Sequence, residues 1–305
     1  MTRISDLGFQ QLLLAGFQRA QSAAEKTQTQ LSSGKRANSY GEVGAQATSL
    51  LSAEGIVSRA SAYEGAAKVA LTRLATQESA LNSISDSIAG LRARFTTTLA
   101  TGASSLLLPE VETAAQRIIS ALNVQLGGVY LFAGTDGSAP PALAASLAEI
   151  GAAADTDALF RDAARRRLPV EEGASVDGGA TAREIASRLF SELKELANAE
   201  SVYGPFTDQL TAAQRDFIVA KVAAFDEIAA DLNTELSLNG VAQSQAEDAR
   251  ARNVERRDLA ETVAAGIEDA DIAETIARLN QDRLAVEAAA RALAKATELS
   301  LLNYI

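Results

Sequence analysis

The 305-residue chain carries five prolines, at positions 109, 140, 141, 169 and 205, and none lies in residues 1–108 or 206–305. A proline inside a helix costs about 3 kcal/mol, because it lacks an N–H and its ring meets the preceding turn. The two ends are therefore free to form long helices. Glycine leans the same way: ten of the twenty fall between Gly102 and Gly204, including the pairs Gly127-Gly128 and Gly178-Gly179. Two helix-permissive ends bracket a turn-rich middle.

The ends carry the period that this permits. Leu74, Leu81, Ile84, Ile88, Leu91, Phe95 and Leu99 follow one another at 7, 3, 4, 3, 4 and 4 residues, one apolar stripe on one helix face. Ser39-Tyr-Gly-Glu42 has the capping-box spacing. The expectation is a helix from about Gly41 to Thr101, ~90 Å long at 1.5 Å per residue, broken or bent at Gly55 or Gly65. A second helix is expected to open at Pro109, with Glu110 and Glu112 in its first turn, and to stop at Gly127-Gly128.

The C-terminal side repeats the pattern. Thr211-Ala-Ala-Gln214 is a second capping-box spacing, followed by Phe217, Ala220, Ala224, Ile228, Leu232 and Leu236. Asp271-Ile-Ala-Glu274 opens a last helix with an Asp cap. Ile272, Ile276, Leu279, Val286, Ala290 and Leu293 then sit on a heptad grid, with Arg283 in one slot. Residues 1–33 hold a stripe of their own at Phe9, Leu13, Phe17, Ala20, Ala24 and Leu31. These terminal stripes are rich in Ala and interrupted by Thr27, Gln28, Arg283 and Thr297. Paired with each other they would make a thin core, so they are expected to finish their burial against other copies or other proteins.

The middle reads differently. Gly128-Val-Tyr-Leu-Phe-Ala-Gly134 is β-prone and is followed by the turn Thr135-Asp136-Gly137. Residues 165–176 hold strand-like pieces around a Glu-Gly turn, and Ala180 to Asn198 is helical, with Ile185, Leu189, Leu193 and Leu196. The fold class is thus mainly α: long antiparallel helices from both chain ends forming a rod-like bundle, with a small α+β insert and a β-hairpin. Three domains are expected. Residues 1–38 plus 271–305 form a terminal coiled coil, 39–135 plus 206–270 a helical rod, and 136–205 an outer insert.

Composition narrows function. There is no Cys, His or Trp. This excludes thiolate chemistry, imidazole general bases and the usual zinc ligands. No catalytic, cofactor-binding or metal-binding residue is assigned. Gly134-Thr-Asp-Gly137 and Asp177-Gly-Gly179 lack the Lys-Ser/Thr of a phosphate loop and read as turns. Glu268, Asp269, Asp271 and Glu274 lack calcium-loop spacing and read as acids at a helix N-terminus. Asp+Glu exceed Lys+Arg by 39 − 28 = 11, which argues against nucleic acid. The one basic cluster, Arg165-Arg166-Arg167, is flanked by Asp162, Glu171 and Glu172 and reads as a solvated loop or helix end. The longest apolar runs, such as Leu12-Leu13-Leu14, fall short of the ~20 residues that a membrane span needs. The start, Met1-Thr2-Arg3-Ile4-Ser5-Asp6, is not a general secretory signal.

Several segments together carry a resemblance. Gln30-Leu-Ser-Ser-Gly-Lys-Arg36 resembles a segment near the start of bacterial flagellins and their junction relatives. The opening Arg3-Ile4-Ser5 and the stretch Gly128-Val-Tyr-Leu-Phe-Ala-Gly-Thr-Asp-Gly-Ser-Ala-Pro140 are similar to the flagellin-like hook-associated branch of that family. Ile267-Glu-Asp-Ala-Asp-Ile-Ala-Glu274, Leu284-Ala-Val-Glu-Ala288 and Ser300-Leu-Leu-Asn-Tyr-Ile305 resemble the family's C-terminal helices. The resemblance covers about the first 135 and last 100 residues. It implies a structural, non-enzymatic flagellar axial protein, without cofactors, at the junction of hook and filament. Its implied partners are other copies, another hook-associated protein, flagellin and an export chaperone, with no nucleic acid and no membrane insertion. Export would use the flagellar type III route without a cleaved signal, leading to an extracellular location. The expected assembly interface is Phe9, Leu13, Phe17, Leu31, Ile272, Ile276, Leu279, Val286, Leu293, Leu301 and Leu302. The start and Gly34-Lys-Arg36 favour the junction branch over a filament flagellin. A cytosolic coiled-coil adaptor is the alternative of another class, which periodicity alone does not exclude.

Overall fold

The computed structural model describes residues 2–161, 163–207 and 209–302, with side chains from 8 to 296 within those ranges. The chain divides into two compact units, residues 1–58 with 256–305 and residues 59–255. It is mainly helical, with long helices from both chain ends pairing antiparallel and two small β-hairpins.

The first unit holds α1 (Thr2–Ser33), the short α2 (Tyr40–Val43), the start of α3 (Ala47–Thr101), the end of α8 (Ala212–Glu268) and α9 (Ile272–Leu302). The helix expected from Gly41 is interrupted once, by the tight turn Gly44–Gln46, and then runs unbroken through Gly55 and Gly65. A glycine costs a helix interior only about 1 kcal/mol, too little to end a helix of this length. The capping box expected at Ser39 does not form. Ser39 makes no side-chain cap, and the Glu42 carboxylate accepts from the Asn38 N–H. Asp271 does cap α9, its Oδ1 accepting from the N–H groups of Ala273 and Glu274 at 2.9 and 3.1 Å.

The second unit is built on α3 and α8. Phe95 meets Phe225 edge-on at 5.5 Å, and Gln243 donates to Glu78, so the helices run antiparallel. The stripe Leu74, Leu81, Ile84, Ile88, Leu91 and Phe95 is buried throughout. On α8 the buried line differs from the expected one: Ala220 is exposed, and Ile218, Lys221, Phe225, Ile228 and Leu232 point inward. The expected spacing used repeated steps of four. Each such step advances 40° around a helix with 3.6 residues per turn, so three of them leave the face. The observed 3, 4, 3, 4 spacing stays on it. Thr211 and Gln214 form the expected capping box, each backbone N–H held by the other's side chain at 3.0 and 3.2 Å.

Against these helices lie α4 (Leu107–Leu122), α5 (Leu147–Ala152), α6 (Ala182–Ala197) and α7 (Ala199–Tyr203). Pro109 is the third residue of α4 rather than the first, still within the turn whose N–H groups have no helical partner. Helix α4 ends at Leu122, before the expected stop. Gly127 and Gly128, with φ of 59° and 80°, instead form the two-residue turn between β1 (Gln125–Leu126) and β2 (Val129–Tyr130). Two consecutive positive φ values are what a type I′ hairpin turn demands, and only glycine adopts them without strain. A second hairpin, β3 (Arg167–Glu171) and β4 (Ala174–Asp177), lies on an alanine face made by Ala67, Ala70, Ala242, Ala246 and Ala249. Asn253 anchors it by donating to the Val170 carbonyl at 2.9 Å.

The arginine cluster is a brace rather than a solvated loop. Arg165 pairs with Glu184 at 2.9 Å and Glu235 at 3.3 Å. Arg166 donates to the carbonyls of Gly134 and Thr135, each at 3.0 Å. Arg167 donates to the Ser175 hydroxyl at 3.1 Å. Carboxylates and free carbonyls supplied by distant segments absorb the charges, which local sequence does not display. Asp162 lies outside the described residues.

Gly134 marks where this brace is tightest. Its φ is +57°, and a Cβ there would stand 2.3 Å from the Ala164 carbonyl oxygen. Gly134→Ala is expected to lower unfolding stability by about 2–4 kcal/mol, combining left-handed strain with a backbone clash. Gly127→Ala, at φ 59° but in open space, is expected to lose about 1 kcal/mol. Urea denaturation of both variants checks the difference. Equal losses would mean that the clash contributes nothing.

Candidate functional site

The chain ends meet in the first unit. The linker after α1 and the joint between α8 and α9 are stitched to each other. The Arg36 N–H donates to the Glu268 carbonyl at 2.6 Å, and the Ala270 N–H donates to the Gly34 carbonyl at 2.9 Å. The Arg36 guanidinium donates to the Ile267 carbonyl at 3.0 Å, and Gln30 closes the loop onto the Arg36 carbonyl at 2.6 Å. Lys35 pairs with Glu268, whose carboxylate raises the pKa of the ammonium group. From this joint α1 and α9 lie antiparallel, and the Thr27 hydroxyl donates to Asp282 Oδ2 at 2.7 Å.

This pair buries little. Among the described side chains of α1 only Thr27 and Gln30 are buried, and both are polar. Among those of α9 only Thr275 and Leu279 are buried. A fully buried Leu contributes about 1.5–3 kcal/mol, while each ordered residue costs about 1–2 kcal/mol of backbone entropy before hydrogen bonding offsets it. By contrast the 16 residues of α4 bury Leu107, Val111, Ala114, Ala115, Ile118, Ile119 and Leu122. Two long helices that share one buried apolar side chain among the described residues are not a finished core.

The expected interface residues fall into two groups. Leu279, with Val286 and Ala24, lines the groove where α1 meets α9. Leu13, Phe17, Leu31 and Leu293 are half-buried. Phe9, Ile272 and Ile276 face outward, 57%, 47% and 45% exposed. Leu301 and Leu302 end α9, but their side chains, and residues 303–305, lie outside the described residues. Leu12, Leu14 and Leu284 are also exposed and belong with the outward group. Sequence reasoning used the run Leu12-Leu13-Leu14 only to exclude a membrane span. Three adjacent leucines spread over 200° of a helix, so the pairing with α9 cannot cover all three.

The surroundings offer little chemistry. Among the described residues no group of three or more acidic, His or Cys side chains is arranged to hold a metal ion. No helix among them is long and apolar enough to cross a membrane. The Gly134–Gly137 segment is a turn in which the Asp136 carboxylate accepts from the Ser138 hydroxyl at 2.7 Å, a contact that lowers its pKa.

Comparison with known proteins gives two family matches. The bacterial flagellin N-terminal helical region matches residues 4–136, and the bacterial flagellin C-terminal helical region matches residues 222–305. No curated protein matches the chain. Among solved structures, a protein from Vibrio parahaemolyticus described as a flagellar hook-associated protein superposes with a TM-score of 0.59 at 19% identity, over 73% of this chain and 97% of that one. FlgL from Bacillus cereus superposes with a TM-score of 0.53 at 11% identity, over 70% of this chain and 98% of that one. At these identities the likeness is one of fold.

Proposed function

The chain belongs to the bacterial flagellin family, and we propose that within this family of structural proteins it is the subunit joining hook to filament, assembling by helix packing after type III export. The observation that carries this reading is the unfinished α1–α9 pair, with Phe9, Ile272 and Ile276 left outside it. The junction role, rather than a filament role, is supported by the opening Arg3-Ile4-Ser5 and by Gly34-Lys-Arg36. It is supported also by a fold that spans nearly the whole of two hook-associated chains. We propose three assembling layers: residues 1–38 with 271–305, 39–135 with 206–270, and 136–205 outermost. Other copies, a hook-side protein, flagellin and an export chaperone are its partners in this reading.

Deletion of the gene, complemented with this chain, tests the role. Loss of a junction subunit leaves a hook without filament and flagellin shed into the medium. Loss of a filament subunit leaves a finished junction with a short filament or none. A chain that stays in the cytoplasm and is missing from sheared flagella is the adaptor instead.

The thin helix pair adds a prediction for the monomer. In dilute solution the amides of residues 8–33 and 272–296 are expected to exchange far faster than those of α4 and α6, and to slow on assembly. Equal protection in the monomer would show that the pair is complete without partners.

A further inference from the structure

An asparagine can lose its side-chain amide when the backbone nitrogen of the next residue reaches its Cγ. That nitrogen must be free of a backbone hydrogen bond, and the residue that carries it must be small. By sequence the pair most open to this attack is Asn239-Gly240, because glycine has no Cβ to obstruct it. The fold closes it. Asn239 is 4% exposed, its Oδ1 accepts from Gln243 Nε2 at 2.6 Å, and the Gly240 N–H belongs to the ladder of α8. Asn123 and Asn198 are clasped by the carbonyls of Ala142 and Gly151, and Asn233, Asn253 and Asn280 lie inside helices. Asn-Ser occurs twice, and all four residues are exposed. Asn82-Ser83 lies inside α3, so the helical ladder takes the Ser83 N–H as well. Asn38-Ser39 lies in the connector between α1 and α2, where Ser39 is extended, with φ −149° and ψ 152°. Glu42 accepts from the Asn38 N–H at 3.0 Å. Neither the Ser39 N–H nor the Asn38 side-chain amide has a hydrogen-bond partner among the described residues.

We propose that Asn38 is a site of self-modification, converting to aspartate and isoaspartate in the folded chain with water as the only co-reactant. The Ser39 nitrogen, giving its proton to hydroxide, attacks Asn38 Cγ. A Cγ–N bond forms and the Cγ–Nδ2 bond breaks. Ammonia leaves with a proton taken from water, which restores the hydroxide, and a succinimide ring remains. Water then opens the ring. Cleavage of the new Cγ–N bond gives aspartate. Cleavage at the main-chain carbonyl gives isoaspartate, in which the backbone runs through the former side chain and is one methylene longer. Either product sets a carboxylate next to the turn that Glu42 already occupies. Isoaspartate also lengthens the chain directly after Arg36 and the buried Ala37, the segment that ties α1 to the end of α8 through the Glu268 carbonyl. The product accumulates with the age of the chain at the joint that aligns the terminal helices.

The test incubates the full-length chain at neutral pH and follows each asparagine by peptide mass spectrometry, with chromatography that separates aspartate from isoaspartate. Position 38 is expected to convert at least about tenfold faster than position 82, because a helix opening that costs only about 1.4 kcal/mol already gives that factor. Position 239 is expected to stay unchanged over the same period. In denaturing urea the two Asn-Ser pairs are expected to convert alike, and Asn239 to become the fastest site. Ser39→Val suits the extended backbone and crowds the attacking nitrogen, so it is expected to slow position 38 and leave position 82 as it was. If that variant does not fold, the comparison of positions 38 and 82 in the unaltered chain still decides. Equal rates at those two positions in the folded chain, or conversion at 239 ahead of 38, would overturn the assignment. An unchanged rate at position 38 in folded Ser39→Val would overturn the route through the Ser39 nitrogen. A lead of position 38 over position 82 that persists in urea would overturn the part given to the fold.

Discussion

Phe225→Ala is expected to lower the stability of the second unit by about 3–5 kcal/mol, the range for emptying a buried phenylalanine site. Phe225 is fully buried and stands edge-on to Phe95, so the change removes a contact that holds α8 against α3. Whole domains are stable by only about 5–15 kcal/mol, and a loss of this size leaves the unit near its unfolding threshold. For a unit of this length each kcal/mol moves Tm by about 2–4 °C, so the melt should fall by roughly 6–20 °C. Urea unfolding followed by circular dichroism should show a lower midpoint with an unchanged slope. Val69→Ala, on the exposed side of α3, should stay within about 0.5 kcal/mol and serves as the control. A loss below 1 kcal/mol for Phe225→Ala would mean that the α3–α8 core is not where this unit's stability lies.

Phe225 also shows where sequence reasoning fell short. On α3 the line from Leu74 to Phe95 is large and apolar at every slot except Gln77, and the period is unambiguous. On α8 the inward line passes through Lys221 and Asn239, which a hydrophobicity pattern rejects. Lys221 is buried because the carboxylates of Glu192 and Glu195 and the ring of Phe217, 5.1 Å away, receive its ammonium group. Phe217 lies one turn back on the same helix, but the two carboxylates come from α6 and are not visible from α8. The same holds for Arg73, buried by the loop at Leu131 to which it donates and beside Arg166. Burial first, and then that neighbouring cation, push its pKa down to about 10. Caps and turns were more legible, because their chemistry is local: Thr211 with Gln214, Asp271 with the N–H groups after it, and the strand pieces on either side of Glu172-Gly173. The Gly127-Gly128 pair was noticed but given the wrong task. A glycine pair marks a break in a helix, and the pairing of the strands on either side is what identifies a hairpin.

The terminal surface was legible in outline because its oddity is compositional. Stripes of Ala, Thr and Gln at heptad spacing announce a helix and withhold a core. What the pattern cannot show is which apolar residues a monomer consumes, and this separates Leu279 from its neighbours. Leu279 is 6% exposed, whereas Ile272 and Ile276 on the same helix remain open. That division allows a sharp experiment. The double variant Ile272→Asp/Ile276→Asp alters two exposed positions of the monomer, so its unfolding free energy should stay within about 1 kcal/mol of the parent, the sum of two surface changes of about 0.5 kcal/mol each. Assembly is another matter. Each isoleucine is worth about 1.5–3 kcal/mol when fully buried, and its replacement by Asp adds the cost of desolvating an unpaired carboxylate. A combined penalty of at least about 4 kcal/mol corresponds to roughly a thousandfold rise in the concentration needed to assemble. Sedimentation of mixtures with the parent chain, and motility of cells carrying only the variant, read this directly. Normal assembly by the double variant would remove these two residues from the interface. Leu279→Ala separates the alternatives further: it should weaken the α1–α9 pair in the monomer, seen as faster amide exchange there, before any partner is present.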